Sequence, residues 1–199
     1  MILALQGGMA VGKTTAARCV ARHAPEVTVF FENNDEVIAQ VRRRGLVKTN
    51  YPDYLEIQRL WLDHAVRRYQ AAAACPHALL DYGPEEILFY TLHYPASAGH
   101  PDWDVAGPLA RELEAARQCM PRRILFLDAA DPQLCRRKEG DAARDRGFFD
   151  HTLTHLLPAK RAWFSALDRV DWLDTTALSP DQTGAAVLAW VQGCLAARE

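Results

Sequence analysis

The sequence predicts an α/β fold in which helices cover both sides of a central parallel sheet. Five short apolar runs alternate with stretches of helical character, which is typical of parallel strands joined by right-handed crossovers. The runs are residues 2–5, 27–31, 78–81, 124–128 and 170–173. Because the runs at 27–31 and 124–128 are almost wholly apolar, we expect both of these strands to be buried on two faces.

The composition indicates one globular domain, residues 1–199. The chain has 199 residues, of which 49% are hydrophobic, and this is enough for a sizeable core. Its net charge of -2 argues against a surface that coats nucleic-acid polymers. The five cysteines are scattered, so we expect reduced thiols in a cytoplasmic protein. The chain opens directly on a predicted strand and has no apolar run of about 20 residues, so we expect neither a secretory leader nor a membrane anchor.

A glycine-rich segment, GGMAVGKTT, lies between the first apolar run and an alanine-rich helical stretch. It fits the pattern of Gly, four residues and Gly-Lys-Ser/Thr, whose backbone N–H groups bind phosphates at the start of a helix. We expect Lys13 to contact the outer phosphates of ATP and the Thr14 hydroxyl to bind Mg²⁺. The predicted nucleotide-binding residues are Gly7, Gly8, Met9, Ala10, Val11, Gly12, Lys13, Thr14 and Thr15.

Acidic residues stand where the later strands end, at the edge where such sheets bind substrates. They are Glu32, Asp81, Asp128 and Asp174. We predict that Asp81 binds Mg²⁺, directly or through water; the alternative is an aspartate that caps a helix. Glu32 can accept the proton of an attacking hydroxyl, although Asp35 could take the same role and a solvent-facing turn residue is a simpler alternative.

Residues 50–72 predict a helical insertion that binds the acceptor. Tyr54, Gln58 and Trp61 share one helical face, and an amide set between aromatic rings can donate to and accept from a planar group. The alternative is an exposed glutamine beside a core stripe. The following residues 94–108 are rich in Pro, Gly and Ala, which predicts a mobile loop.

A charged run, residues 136–147, follows the fourth predicted strand. Such a run is usually a solvated helix face. Glycines within it offer hinge points, however, and arginines that close over the phosphates would stabilise the transferred charge. We therefore predict an arginine-bearing lid that contains Arg137, Arg144 and Arg146.

These segments together resemble the P-loop kinases, with a layout close to the deoxynucleoside kinases and their nucleotide-kinase relatives. GGMAVGKT matches the phosphate-binding motif, Glu32 stands at the family's catalytic glutamate, and Gln58 falls on the glutamine that hydrogen-bonds the base. Asp81 matches the acidic member of the family's Glu-Arg-Ser or Asp-Arg motif, and ADPQLCRRKEGDAARDRG is similar to the approach to the lid. The resemblance implies a three-layer P-loop NTPase fold with five parallel strands in the order 2-3-1-4-5.

One position departs from this resemblance. Tyr82 stands where the family has an arginine that positions substrate and phosphate, and Gly-Pro follows it instead of Ser. We therefore expect Tyr82 to contact the substrate and to alter its selection. Residues 90–108 match no segment of the family.

The favoured function is that of an ATP- and Mg²⁺-dependent kinase with a nucleoside or nucleotide acceptor. An antibiotic-like or other small alcohol is the alternative acceptor, and GTP remains open as donor. An alternative from another class is a regulatory P-loop NTPase without an acceptor. The arginine-rich run and the single-domain size argue against a regulatory NTPase. Such a switch needs loops that face a partner protein and does not need a lid that closes over the phosphates. The resemblance leaves a homodimer open.

Overall fold

Five parallel strands form the central sheet of the computed structural model, which describes residues 1–139 and 146–197, the side chains of residues 146 and 147 excepted. The strands are β1 Ile2–Gly7, β2 Thr28–Phe30, β3 Ala78–Leu80, β4 Arg123–Asp128 and β5 Val170–Asp174. Their order is β2-β3-β1-β4-β5, and every pairing is parallel. The predicted α/β class and the strand order 2-3-1-4-5 are confirmed.

Helices surround this sheet. They are α1 Lys13–His23, α2 Asp35–Arg44, α3 Tyr51–Ala73, α4 Pro84–Ser97, α5 Ala110–Arg117, α6 Asp131–Glu139, α7 Arg146–His151, a π-helical segment Thr152–Leu156, α8 Leu157–Ser165 and α9 Pro180–Ala196. Side-chain caps define two of the starts. Asn50 accepts a hydrogen bond from the Asp53 N–H before α3, and Ser179 forms a capping box with Gln182 before α9. None of the helices in the described ranges is both long and apolar enough to cross a bilayer.

The strands differ in burial according to their place in the sheet. β4 lies between β1 and β5, and its four inner residues are buried. β2 lies at the edge, where Thr28 is exposed and the adjoining Phe31 is 39% exposed. The expectation that residues 27–31 are buried on both faces is therefore wrong, because an apolar run alone does not distinguish an edge strand from a central one.

Hydrophobic clusters hold the helices against the sheet and against one another. On one side α1 packs on α9, with Val20, Val187 and Val191 buried beside β1. On the other side α3 packs on α4 and α5 through a cluster that includes Leu62 and Leu113. α4 begins shortly after the carboxyl end of β3, and Arg68 of α3 donates to the carbonyl of Phe30, the last residue of β2.

The predicted loop over residues 94–108 is wrong in its first part, because α4 continues through Pro95 to Ser97. A proline has no N–H to donate to the carbonyl four residues earlier, which here belongs to Thr91. The Tyr54 hydroxyl donates to that carbonyl instead, at 3.0 Å. The loop that follows is packed, with the Trp103 and His100 rings stacked 4.1 Å apart. A side chain from α3 thus compensates for the proline in α4.

Candidate functional site

The glycine-rich segment forms a tight turn between β1 and α1. Gly7 has φ +137°, and a Cβ at this position would lie 2.1 Å from the Leu127 carbonyl oxygen, so no other residue fits. Gly12 and Ala10 also have positive φ, of 99° and 63°. Successive left-handed residues turn backbone N–H groups toward one side and form a concave anion-binding surface at the helix start.

Lys13 extends from the first turn of α1 across this loop. Its Nζ donates to the carbonyl oxygens of Gly8 at 2.8 Å and Gly7 at 3.3 Å. The side chain lines a cavity of about 210 Å³ that is formed by residues 10–15 together with Glu32 and Arg137. Lys13 and Glu32 also line a second cavity, of about 330 Å³. These two opposite charges therefore lie where the two cavities adjoin.

Thr14 and Asp81 form a pair beside the phosphate loop. The Thr14 hydroxyl donates to Asp81 Oδ2 at 2.9 Å, and Asp81 is 1% exposed. Asp81 Oδ1 is buried and has no hydrogen-bond partner in the part of the chain that the structure describes. A hydroxyl and a carboxylate oxygen left free next to a phosphate site fit Mg²⁺, which takes few protein ligands and completes its shell with phosphate and water. Within residues 1–139 and 146–197, no three His, Cys, Asp or Glu side chains gather into a metal cluster of their own.

The second cavity, called the acceptor cavity below after the role proposed for it, has five aromatic side chains among the thirteen lining residues that the structure describes. Its lining residues are Met9, Lys13, Glu32, Asn34, Lys48, Gln58, Trp61, Tyr82, Glu86, Ile87, Tyr90, Tyr94 and Phe148. Gln58 is 8% exposed, and its Oε1 accepts a hydrogen bond from the Thr91 hydroxyl at 2.8 Å. Because the oxygen is held, the amide nitrogen is the group that Gln58 can offer to a ligand. A cavity of this size that combines aromatic rings with charged and amide groups suits a small planar molecule that carries hydrogen-bonding groups.

The three residues of α3 that were predicted to contact the acceptor differ in whether they reach the cavity. Gln58 and Trp61 line the acceptor cavity, whereas Tyr54 does not. Tyr54 is fully buried, and its hydroxyl donates to the carbonyl oxygens of Tyr90 and Thr91. Burial raises the pKa of its hydroxyl. Tyr54 therefore supports the cavity wall from beneath. Its position does not support the predicted direct contact with the acceptor.

A chain of hydrogen bonds holds Glu32 at the cavity junction. The Asn34 amide donates to Glu32 Oε1 at 2.6 Å, and the Tyr82 hydroxyl donates to Asn34 Oδ1 at 2.7 Å. The Arg68 guanidinium lies 4.4 Å from the centre of the Tyr82 ring and donates to the backbone carbonyls of Tyr82 and Phe30. Burial raises the pKa of the Tyr82 hydroxyl, so it remains a donor at neutral pH. Asp35, the alternative base, begins α2 and does not line either cavity.

Lys160, for which the sequence predicted no role, lies against Glu86, a residue in the wall of the acceptor cavity. It is 1% exposed, and its Nζ donates to the Gly7 carbonyl at 2.8 Å and pairs with Glu86 Oε2 at 2.5 Å. Burial lowers the pKa of Lys160 to about 8. The neighbouring Glu85 is also fully buried, and burial raises its pKa to about 8. At pH 7 these values favour a neutral Glu85 and a charged Lys160, whose Nζ contacts Glu86.

The predicted lid is described only in part. The Arg137 guanidinium donates to the Thr175 hydroxyl at 3.0 Å and to its carbonyl at 2.5 Å, while lining the phosphate-loop cavity. Arg144 lies outside the described residues, and Arg146 begins α7 with its side chain outside them. The other strand-end acids have local partners, because Arg161 donates twice to Asp128 and Thr176 donates to Asp174.

Residues 3–172 match the model of a family described as AAA domain, and the chain belongs to that family. Its fold is that of the P-loop kinases, as two solved structures show. The M. mycoides deoxyadenosine kinase, with the products dCMP and a flexible dCDP, is similar with a TM-score of 0.71, covering 97% of this chain and 100% of that chain at 11% identity. The Candida albicans thymidylate kinase is similar with a TM-score of 0.62, covering 96% of this chain and 91% of that chain at 15% identity. No curated protein matches the chain.

Proposed function

We propose that the protein is an ATP- and Mg²⁺-dependent phosphotransferase that moves the γ-phosphoryl group to a nucleoside or nucleotide. The observation that carries this proposal is the junction at Lys13 and Glu32, which line both the phosphate-loop cavity and the acceptor cavity. A donor phosphate on one side and an acceptor on the other would meet between a cation and a carboxylate. The names of the two similar structures, a deoxyadenosine kinase and a thymidylate kinase, favour this class of acceptor.

On the donor side, the backbone N–H groups of residues 7–15 would hold the phosphates of ATP. Lys13 would exchange its two carbonyl partners for the outer phosphate oxygens. Thr14 and Asp81 would hold Mg²⁺, which neutralises charge between the phosphates when it is bound. Arg137, which already lines this cavity, is proposed to contact the phosphates together with Arg144 and Arg146 of the lid.

On the acceptor side, the Gln58 amide and the rings around it would hold the planar part of the acceptor. The acceptor hydroxyl would then stand at the junction, where Glu32 accepts its proton as the oxygen attacks the γ-phosphorus. Asn34 and Tyr82 set the direction of the Glu32 carboxylate. Positioning of this kind supplies most of the catalysis in phosphoryl transfer, because the transition state is loose and needs little covalent help.

The test is acceptor-dependent release of ADP. Purified protein with Mg²⁺ and ATP is incubated with deoxynucleosides, nucleoside monophosphates, and aminoglycoside-like and phenicol-like alcohols. We expect at least one nucleoside or nucleotide to raise ADP release above bare hydrolysis, and Lys13→Ala to abolish that increase without loss of fold. Stimulation by an antibiotic-like alcohol alone would replace the acceptor class. If no compound stimulates release, the regulatory NTPase becomes the better description.

A further inference from the structure

We propose that the acceptor cavity selects an uncharged alcohol and rejects acceptors that already carry a phosphate, because a fixed carboxylate of Glu86 stands in its wall. This inference rests on the proposed kinase function and decides between the two acceptor types that the function leaves open. In this proposal Glu86 and the Lys160 beneath it determine specificity. Tyr82 contributes as well, because it stands where an arginine was expected.

The Glu86 carboxylate is held from behind by buried donors. Lys160 Nζ lies 2.5 Å from its Oε2, at a site where the lysine is 1% exposed. The buried Gln6 amide satisfies both of its polar atoms when its nitrogen donates to Glu86 Oε2 at 2.5 Å and its oxygen accepts from the Gly83 N–H at 3.0 Å. Since both donors lie behind the carboxylate, a ligand in the cavity meets the acid and not the lysine.

The cavity has little positive charge to spare for an acceptor phosphate. Of the described side chains that line it, two are basic, Lys13 and Lys48. Lys13 is required by the donor phosphates, and Lys48 lies over the rings of Tyr94 and Phe148, 5.2 and 5.0 Å from their centres. Arg68 is turned toward backbone carbonyls behind Tyr82 and does not line the cavity.

Among the side chains that the structure describes, an acceptor phosphate would therefore meet two carboxylates, Glu32 and Glu86, and no cation of its own. A phosphate monoester carries nearly two negative charges at neutral pH, and like charges that face each other in a partly desolvated site repel strongly. An alcohol, in contrast, can form favourable hydrogen bonds with the same two carboxylates. One hydroxyl can donate to Glu32 as it reacts, and a second hydroxyl or amine can donate to the fixed Glu86. The cavity thus fits a neutral acceptor that has at least two hydrogen-bond donors and a planar group.

The test compares kcat/KM for matched pairs, such as deoxyadenosine with its monophosphate and thymidine with its monophosphate. We expect every scaffold that turns over to favour the unphosphorylated member by at least about 100-fold. Glu86→Gln should reduce that preference by about tenfold or more. The matched control is Glu114→Gln, because Glu114 is an exposed residue of α5 that lies outside the cavity. This control should leave the preference unchanged.

A second variant guards against misfolding, because Glu86→Gln leaves Lys160 buried without its acid. The double variant Glu86→Gln with Lys160→Met removes both charges and should show the same loss of preference. Turnover of monophosphates equal to or better than that of alcohols would overturn the inference and leave the kinase function intact. A preference that neither variant alters would overturn the role of Glu86. If no acceptor of either type is turned over while ATP still binds, the proposed function itself fails.

Discussion

Replacement of Tyr82 by phenylalanine removes one oxygen atom from the chain that holds Glu32. The Tyr82 hydroxyl donates to Asn34 Oδ1 at 2.7 Å, and the Asn34 amide donates to Glu32 Oε1 at 2.6 Å. The phenylalanine ring keeps the contact with Arg68, whose guanidinium lies 4.4 Å from the ring centre. The variant therefore separates the orienting hydroxyl from the packing of the aromatic ring.

The expected loss follows from the value of one hydrogen bond. A neutral hydrogen bond contributes about 1 kcal/mol net to stability, so the free energy of unfolding should fall by about that amount. The freed Asn34 can then rotate, and Glu32 must be oriented again in each turnover. A further 1 to 2 kcal/mol in the barrier corresponds to a decrease in kcat of about 5- to 30-fold. KM for ATP should not change, because the deleted hydroxyl donates to Asn34 and not to the phosphate loop.

The assay is steady-state ADP release with the preferred acceptor, together with urea unfolding. Tyr51→Phe is the matched control, because its hydroxyl donates to the Asp104 carbonyl in a loop remote from Glu32. The control should lose comparable stability but retain its kcat. If Tyr82→Phe retains full kcat while losing stability, the hydroxyl supports the fold alone and the orienting role of the chain is refuted.

Three further changes test other parts of the site. Asp81→Asn should reduce kcat by about 100-fold and weaken the dependence on Mg²⁺ concentration, and an unaltered Mg²⁺ titration would exclude Asp81 as a ligand. Arg161→Met breaks a two-fold contact with Asp128 and should lower the free energy of unfolding by about 1 to 3 kcal/mol in a urea titration; an unchanged midpoint would refute this. Burial raises the pKa of Glu85 from 4.5 to about 8, so its stabilising contribution is present below pH 4.5 and is lost as the pH rises toward 8. Glu85→Gln should therefore gain stability over the wild type across that window, by at most about 1.4 kcal/mol per pH unit, and equal slopes would contradict the shift.

Much of the fold was predictable because its signals are local. The phosphate loop is defined by residues 7–15 alone. Each apolar run likewise predicts a strand from its own residues, without reference to distant parts of the chain. Glu32 and Gln58 each stand at a recognisable place in the sequence, one at a strand end and one on a helical face. The structure brings both to the lining of the acceptor cavity, and their roles there stay predictions. The resemblance implied the order 2-3-1-4-5, which puts β2 at the edge, whereas the apolar run at 27–31 by itself predicted a strand buried on both faces.

The groups that hold the site in place were missed because their partners are distant in sequence. Lys160 and Gly7 are 153 residues apart, and Arg68 and Phe30 are 38 apart. A basic residue in a helix predicts a solvated surface, and only the assembled fold shows that it is buried. One signal was present for Arg68, which lies two helical turns after Trp61 and so shares its face on α3. For Tyr54 the helical face predicted a contact with the ligand. Its hydroxyl instead donates to the Thr91 carbonyl, which Pro95 leaves without a backbone donor.

The most direct test of the central proposal follows the γ-phosphoryl group itself. ATP labelled with oxygen-18 in that group is incubated with the protein, Mg²⁺ and each candidate acceptor. The masses of the products are then measured by mass spectrometry. The label should appear on the acceptor with the wild type and be absent from it with a folded Lys13→Ala variant. Label found solely in inorganic phosphate, whatever acceptor is supplied, would contradict transfer and show that the loop serves hydrolysis.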